Sequence, residues 1–190
     1  ANRYVDSVPE LAQAAMDERR IGLGIMGLAD ALFLLGLPYD SMEGRSFAAE
    51  LMEMTRFHAL RASVERAKTR GPFGWYEDSI YRPENIEALP VWSQSHRHQG
   101  AWANLLASAK RFGVRNACQL TIAPTGTISN VTDCEGSGCE PVFALSYVRQ
   151  VMQEGEPIRL TYLSSLFERA LVEAGLMPEE IERIEDYVAA

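Results

Sequence analysis

The residues best equipped for chemistry are Ala123-Pro124-Thr125-Gly126-Thr127-Ile128-Ser129, three hydroxyls and a glycine following the run Leu120-Thr121-Ile122. Thr121 and Ile122 suit a buried strand, Pro124 ends its ladder, and Gly126 lets the backbone approach a ligand with no Cβ in the way. A helical turn opening at Thr125 aims its free N–H groups and the positive end of its dipole past the strand, with the Thr125, Thr127 and Ser129 hydroxyls beside them. Phosphate fits that chemistry best. The same pattern also describes a capped strand-to-helix turn that binds nothing. The stretch holds no lysine and no metal-binding carboxylate, so it suits holding a phosphate more than transferring it.

Other constellations carry less. Gly22-x-Gly24-x-x-Gly27 has the spacing of a dinucleotide-binding turn, with Asp40 at roughly the distance of a ribose contact. That turn needs a strand immediately before it, whereas Ala12 to Arg20 is Ala-rich and charged, with helical character. Tight backbone packing is the better account of these glycines. Cys134 and Cys139 lie in a C-x4-C spacing, and His96 and His98 in H-x-H, neither of which is the usual pairing of a structural zinc site or of a thiol redox motif. Cys118, in an apolar run, reads as a small core residue, and His58 as a histidine on a scaffold helix. No Ser-His-Asp pattern stands out.

Composition narrows the classes. The 190 residues, 47% hydrophobic and 23% charged, suffice for one domain with a sizeable core. A net charge of −8 without a long basic run argues against a nucleic-acid surface. No run of ~18 apolar residues marks a membrane helix. Three cysteines cannot all pair within one chain, and nothing else suggests export, so a reducing cytoplasm is expected. The chain begins at Ala1, as a processed protein or a piece of a longer one would.

Stepping along the chain, Ser7-Val8-Pro9-Glu10 predicts a capping box opening a helix through about Glu18. A second helix is expected from Arg20 to Leu35, its glycine-studded core Ile21 to Leu28 buried, ended by Gly36 and Pro38. A long scaffold helix follows from Ser41 to about Thr69, with Phe47, Leu51, Met54 and Phe57 on or near one face. Gly71 to Pro90 reads as an ordered loop that packs Phe73, Trp75, Tyr76 and Tyr81. Ser95 to Phe112 is expected to be helical, and strands are expected near 117–123 and 142–148, separated by the turn-rich stretch Asp133 to Pro141. The tail reads as two amphipathic helices, one striped by Leu160, Leu163, Leu166, Phe167, Ala170 and Leu171, the other opening at Pro178.

Three blocks together make a family recognisable: Arg19-Arg20-Ile21-Gly22-Leu23-Gly24-Ile25-Met26-Gly27-Leu28-Ala29-Asp30; Arg115-Asn116-Ala117 with Ile122 to Ser129; and Glu140-Pro141-Val142-Phe143-Ala144-Leu145-Ser146-Tyr147-Val148-Arg149. From Ala1 to about Gln150 the chain resembles the large, catalytic chain of ribonucleotide reductase, closest to the adenosylcobalamin-dependent class II enzyme. The resemblance implies an α/β fold, the helix-rich C-terminal portion of a ten-stranded α/β barrel, with 1–150 belonging to the barrel domain and 151–190 a helical extension of it. It also implies that Ala123, Pro124, Thr125, Gly126, Thr127, Ile128 and Ser129 grip the substrate's diphosphate. The implied chemistry is reduction of a ribonucleotide at its 2′ carbon by a thiyl radical, for deoxyribonucleotide and DNA synthesis, with adenosylcobalamin as cofactor of the complete enzyme.

The family's radical cysteine, its redox pair and its Asn-x-Cys-x-Glu motif have no counterpart here, so Cys118, Cys134 and Cys139 inherit none of those roles. The expected partners are a ribonucleotide and a cysteine-bearing N-terminal half of the reductase, with self-association through unpaired strand edges. Two other readings stay open: a non-catalytic regulatory or assembly protein derived from a reductase, and a dinucleotide-binding module at Gly22 to Gly27.

Overall fold

The computed structural model describes residues 8–86, 99–132, 134–153 and 156–189. The elements run α1 (Pro9–Glu18), α2 (Leu28–Leu34), α3 (Met42–Arg70), a 3-10 turn (Tyr76–Asp78), α4 (Gln99–Phe112), α5 (Gly126–Val131), β1 (Ser146–Gln153), β2 (Glu156–Leu163), α6 (Ser165–Glu173) and α7 (Pro178–Ala189). They form two compact units, one of residues 1–24 and 46–122, the other of 25–45 and 123–190.

The first unit is built on α3. Leu60, Ser63, Val64 and Ala67 recur at helical spacing on its buried face. Phe73, Tyr76, Ile86, Trp102, Leu105, Ala109 and Val114 close the core over them, so the aromatic-rich loop does pack most of its rings; Trp75 stays 48% exposed. Phe57 meets Trp102 edge to face, with ring centres 5.2 Å apart, and the Trp102 indole donates to Glu53 Oε1 at 3.0 Å. Arg115 donates to the carbonyls of Arg70, Gly71 and Pro72 at 2.9–3.1 Å, satisfying groups that the end of α3 leaves open. Met54, expected on the packed face of α3, is 55% exposed. His58 is exposed, with its ring against Phe57.

Residues 20–27 do not form the expected buried helix. Residues 21–23 instead run beside 118–121: Ile21 N–H donates to Cys118 O, Leu23 N–H to Gln119 O and Thr121 N–H to Leu23 O, with one parallel bridge between Leu23 and Leu120. Each interior glycine costs a helix about 1 kcal/mol relative to alanine, and three of them turn the balance toward pairing. The glycines are needed for that pairing, because a Cβ at Gly24 would lie 2.8 Å from Thr121 O and one at Gly22 2.8 Å from Thr121 Cγ2. Ile21, Leu23 and Ile122 are about half to three-quarters exposed, which also corrects the expectation that Ile122 is buried. The strand expected near 117–123 is thus an extended segment with a single bridge. Asn116, buried behind it, accepts from Ser63 Oγ at 2.8 Å and donates to Arg19 O at 2.8 Å.

In the second unit, α2 starts from Gly27 in a left-handed conformation (φ +76°) and buries Leu28, Ala29 and Leu32. The later strand is displaced from 142–148 to β1, which pairs antiparallel with β2 in the register Ser146↔Leu163 to Gln153↔Glu156. Leu160 and Leu163 therefore lie on a strand rather than a helix; the run from Ile158 through Thr161, Tyr162 and Leu163 favours a pleated surface, and the leucine spacing misled. Helix α6 opens one residue later, where Ser164 Oγ accepts from Phe167 N–H at 3.0 Å, and it packs on α2 and α7. Helix α7 begins at Pro178 as expected. Ser7, His96 and His98 lie outside the described residues, as does the expected start of α4 at Ser95.

Candidate functional site

The candidate site is the turn into α5. Thr125 precedes the helix with φ 52° and ψ 13°, a left-handed conformation that a β-branched residue adopts only when its surroundings hold it there. Ser129 N–H is the first amide to close on the turn, donating to Thr125 O at 2.9 Å. The amides of Gly126, Thr127 and Ile128 stand ahead of it, the donors that a helix start leaves without an internal partner.

The three hydroxyls have different positions. Thr127 is exposed, and its hydroxyl has no partner among the described residues. Thr125 Oγ1 accepts from Gly138 N–H at 2.6 Å and keeps its own O–H to donate. Ser129 is buried, and its hydroxyl donates to Gly126 O at 3.1 Å, so it closes the turn from within. A Cβ at Gly126 would meet nothing within 4 Å, and its φ is not left-handed; the protein itself leaves that space open. Ala123 and Pro124 lead in without regular structure.

A second segment backs the turn. Gly138, at φ +59°, approaches so closely that a Cβ there would lie 2.8 Å from Ala123 O. The loop carrying it is tied to 27–39 by Gly27 N–H to Gly136 O at 3.0 Å, Tyr39 Oη–H to Cys139 O at 2.6 Å, and the Asp30 carboxylate, which accepts from Glu135 N–H at 2.9 Å and Gly136 N–H at 2.6 Å. Glu135 in turn accepts from the hydroxyls of Ser164 and Ser165 at the start of α6. Asp30, Tyr39 and Gly138 were not singled out as site residues by sequence reasoning. Their signal was weak: a carboxylate in a helix's first turn and a glycine pair in a turn-rich loop are common where nothing binds.

Cys118 Sγ donates to Leu120 O at 3.2 Å, none of the three cysteines forms a disulfide, and no three His, Cys, Asp or Glu side chains among the described residues are grouped to hold a metal. Gly22 and Gly24 pack on Thr121, and the element before them is helix α1, so the strand that a dinucleotide turn requires is not there. In the first unit a cavity of about 370 Å³ is lined by Ala49, Met52, Glu53, Arg56, Trp102 and Leu120. It lies near the small end of the ~300–1,000 Å³ of small-molecule clefts. No helix among the described residues is long and apolar enough to cross a membrane.

The profile of the ribonucleotide reductase barrel domain matches residues 3–189. A vitamin B12-dependent ribonucleoside-diphosphate reductase of Thermoplasma acidophilum is 31% identical over 96% of this chain and 21% of its own length. Another enzyme of that description, from Mycobacterium tuberculosis, is 32% identical over 95% of the chain and 23% of its own length. The ribonucleoside-diphosphate reductase subunit alpha of Chlamydia pneumoniae, whose name specifies no cobalamin, is 31% identical over 95% of the chain and 19% of its own length. The chain thus spans about a fifth of the length of these relatives. With a match running over nearly all its residues, the chain belongs to the ribonucleotide reductase large-chain family, within the barrel domain.

Proposed function

We propose that this chain supplies the segment of a ribonucleotide reductase that grips the substrate's diphosphate, and that the cysteines of the radical chemistry lie outside these 190 residues, on a missing part or a separate chain. The observation that carries the reading is the turn at Thr125, where three amides without internal partners and the free Thr127 hydroxyl lie together in a family that acts on phosphorylated nucleosides by the names of its members. Ala123 and Pro124 lead the backbone in. Gly126, Thr127 and Ile128 present N–H donors, Thr125 and Thr127 add O–H donors, and Ser129 locks the turn. Held there by its diphosphate, a ribonucleotide has its ribose fixed relative to the chain, and positioning of this kind is what a radical attack near the 2′ carbon requires.

The relatives named B12-dependent favour adenosylcobalamin as the cofactor of the complete enzyme, where it would supply the radical. No residue of this chain is assigned to the cofactor. We read residues 1–150 as part of a ten-stranded barrel and 151–190 as an extension of the same domain, working in the cytoplasm. The exposed extended residues 21–24, with Thr121 and Ile122 beside them, favour self-association or pairing with the rest of the barrel. The test is reconstitution: the purified chain with adenosylcobalamin and a dithiol is expected to reduce no ribonucleotide, and adding the cysteine-bearing polypeptide is expected to restore turnover. Turnover by the chain alone refutes this division of labour. Nucleotide affinity that stays absent in the reconstituted pair favours instead a non-catalytic assembly protein.

A further inference from the structure

We propose that Asp30 is the positioning residue of the phosphate cradle, fixing the 134–140 loop and, through Gly138, the left-handed turn at Thr125; this rests on the reading of 123–129 as a diphosphate grip. A threonine at φ 52° does not hold itself there, and the bond that holds it is the 2.6 Å donation from Gly138 N–H to its Oγ1. Gly138 sits in a loop with no regular structure of its own; its carbonyl accepts from Leu28 N–H at a long 3.4 Å and Gly136 O from Gly27 N–H at 3.0 Å, neutral bonds that a charged one reinforces. Asp30 is the charged tie: one carboxylate oxygen takes Glu135 N–H and the other Gly136 N–H, bonds shorter and stronger than neutral ones. The fit is close, since a Cβ at Gly136 would lie 2.8 Å from Asp30 Oδ1 and 3.0 Å from Ala29 Cβ. Tyr39, bonding Cys139 O, holds the same loop on its other side. A carboxylate at the third position of a helix can serve that helix's own start, but this one reaches across to order the amide that shapes the cradle.

The test uses the 190-residue chain and inorganic pyrophosphate. Asp30→Asn leaves one acceptor and turns an amide N–H2 toward a backbone N–H. Deuterium exchange at the Gly138 amide is expected to quicken about tenfold, and the pyrophosphate needed to shift the Gly126, Thr127 and Ile128 amide resonances to rise by about the same factor. Asp30→Glu, which keeps the carboxylate, is expected to recover part of both. Tyr39→Phe, which removes a single exposed hydroxyl, is expected to change both in the same direction by less, and it decides the matter if Asp30→Asn fails to fold. Unchanged Gly138 exchange in the folded variants overturns the inference whatever pyrophosphate does. Pyrophosphate bound equally by Asp30→Asn and wild type, while Thr127→Ala weakens it, overturns the positioning role and leaves the cradle standing. A wild-type chain that shows no pyrophosphate shifts overturns the diphosphate reading and the inference with it.

Discussion

Replacing Gly126 by valine separates folding from binding. A Cβ there meets no heavy atom within 4 Å, and the backbone is outside the left-handed region, so the protein presents no steric objection. Loss of glycine's freedom in the unfolded chain adds about 0.4–1 kcal/mol in the alanine case, so the melting temperature is expected to hold or rise slightly. Binding behaves oppositely, because a branched side chain would fill the space that phosphate needs to reach the Gly126 and Thr127 amides. Thr127→Ala removes one donor to a charged partner, worth about 1.5–3 kcal/mol, or roughly ten- to a hundredfold in affinity. Calorimetric titration of a nucleoside diphosphate, with the cysteine-bearing polypeptide present, is expected to show no binding for Gly126→Val and a reduced affinity for Thr127→Ala. Wild-type affinity in both removes the segment from the site, and a Gly126→Val chain that fails to fold refutes the steric argument.

Other substitutions test the scaffold. Asn116→Ala strands the Arg19 carbonyl, while Ser63 Oγ still accepts from the backbone N–H of residue 116 at 3.0 Å and loses only the acceptor for its own proton, so urea denaturation should report a loss of about 1–3 kcal/mol. Gly24→Ala forces a methyl to within 2.8 Å of Thr121 O, which is backbone and cannot swing aside, so the same assay should report a loss of about 1–3 kcal/mol; unchanged stability would deny the parallel pairing of 21–24 with 118–121. The buried Tyr76 hydroxyl has no hydrogen-bond partner among the described residues, so Tyr76→Phe is expected to leave stability unchanged or higher, and a clear loss would mean the hydroxyl is satisfied. Burial first, then Glu77 and Glu84, raises the Tyr76 pKa above 10.0, and burial raises that of Tyr81. The unfolded chain therefore loses these protons first, stability is intact below pH ~10 and falls above it, and absorbance titration should show late-ionising tyrosines that become ordinary in denaturant.

Much of the helical scaffold was legible because its signals are local. Pro9 and Pro178 mark the starts of α1 and α7, and Gly113 at φ +76° closes α4. Trp102, Leu105 and Ala109 fall on one face of α4 by spacing alone. What misread was the extended structure. Residues 20–27 are apolar enough for a buried helix, and only the donation of Ile21 and Leu23 to Cys118 and Gln119, about a hundred residues on, shows that 21–23 pair instead. The β1–β2 hairpin hid because Leu163, Leu166 and Ala170 continue a helical stripe across the boundary that Ser164 caps. At 123–129 the residue types marked a turn into a helix, and the turn into α5 is there. The left-handed Thr125 and its hold through Gly138 and Asp30 depend on contacts between distant stretches, which one sequence does not display.

The most direct test is the response of the backbone amides of Gly126, Thr127 and Ile128 in proton–nitrogen correlation spectra, as the chain is titrated with a nucleoside diphosphate and, separately, with the same nucleoside unphosphorylated. The diphosphate is expected to move these resonances and the nucleoside to leave them in place. Resonances that stay fixed while others move, or that respond equally to both ligands, would contradict a diphosphate grip at this turn.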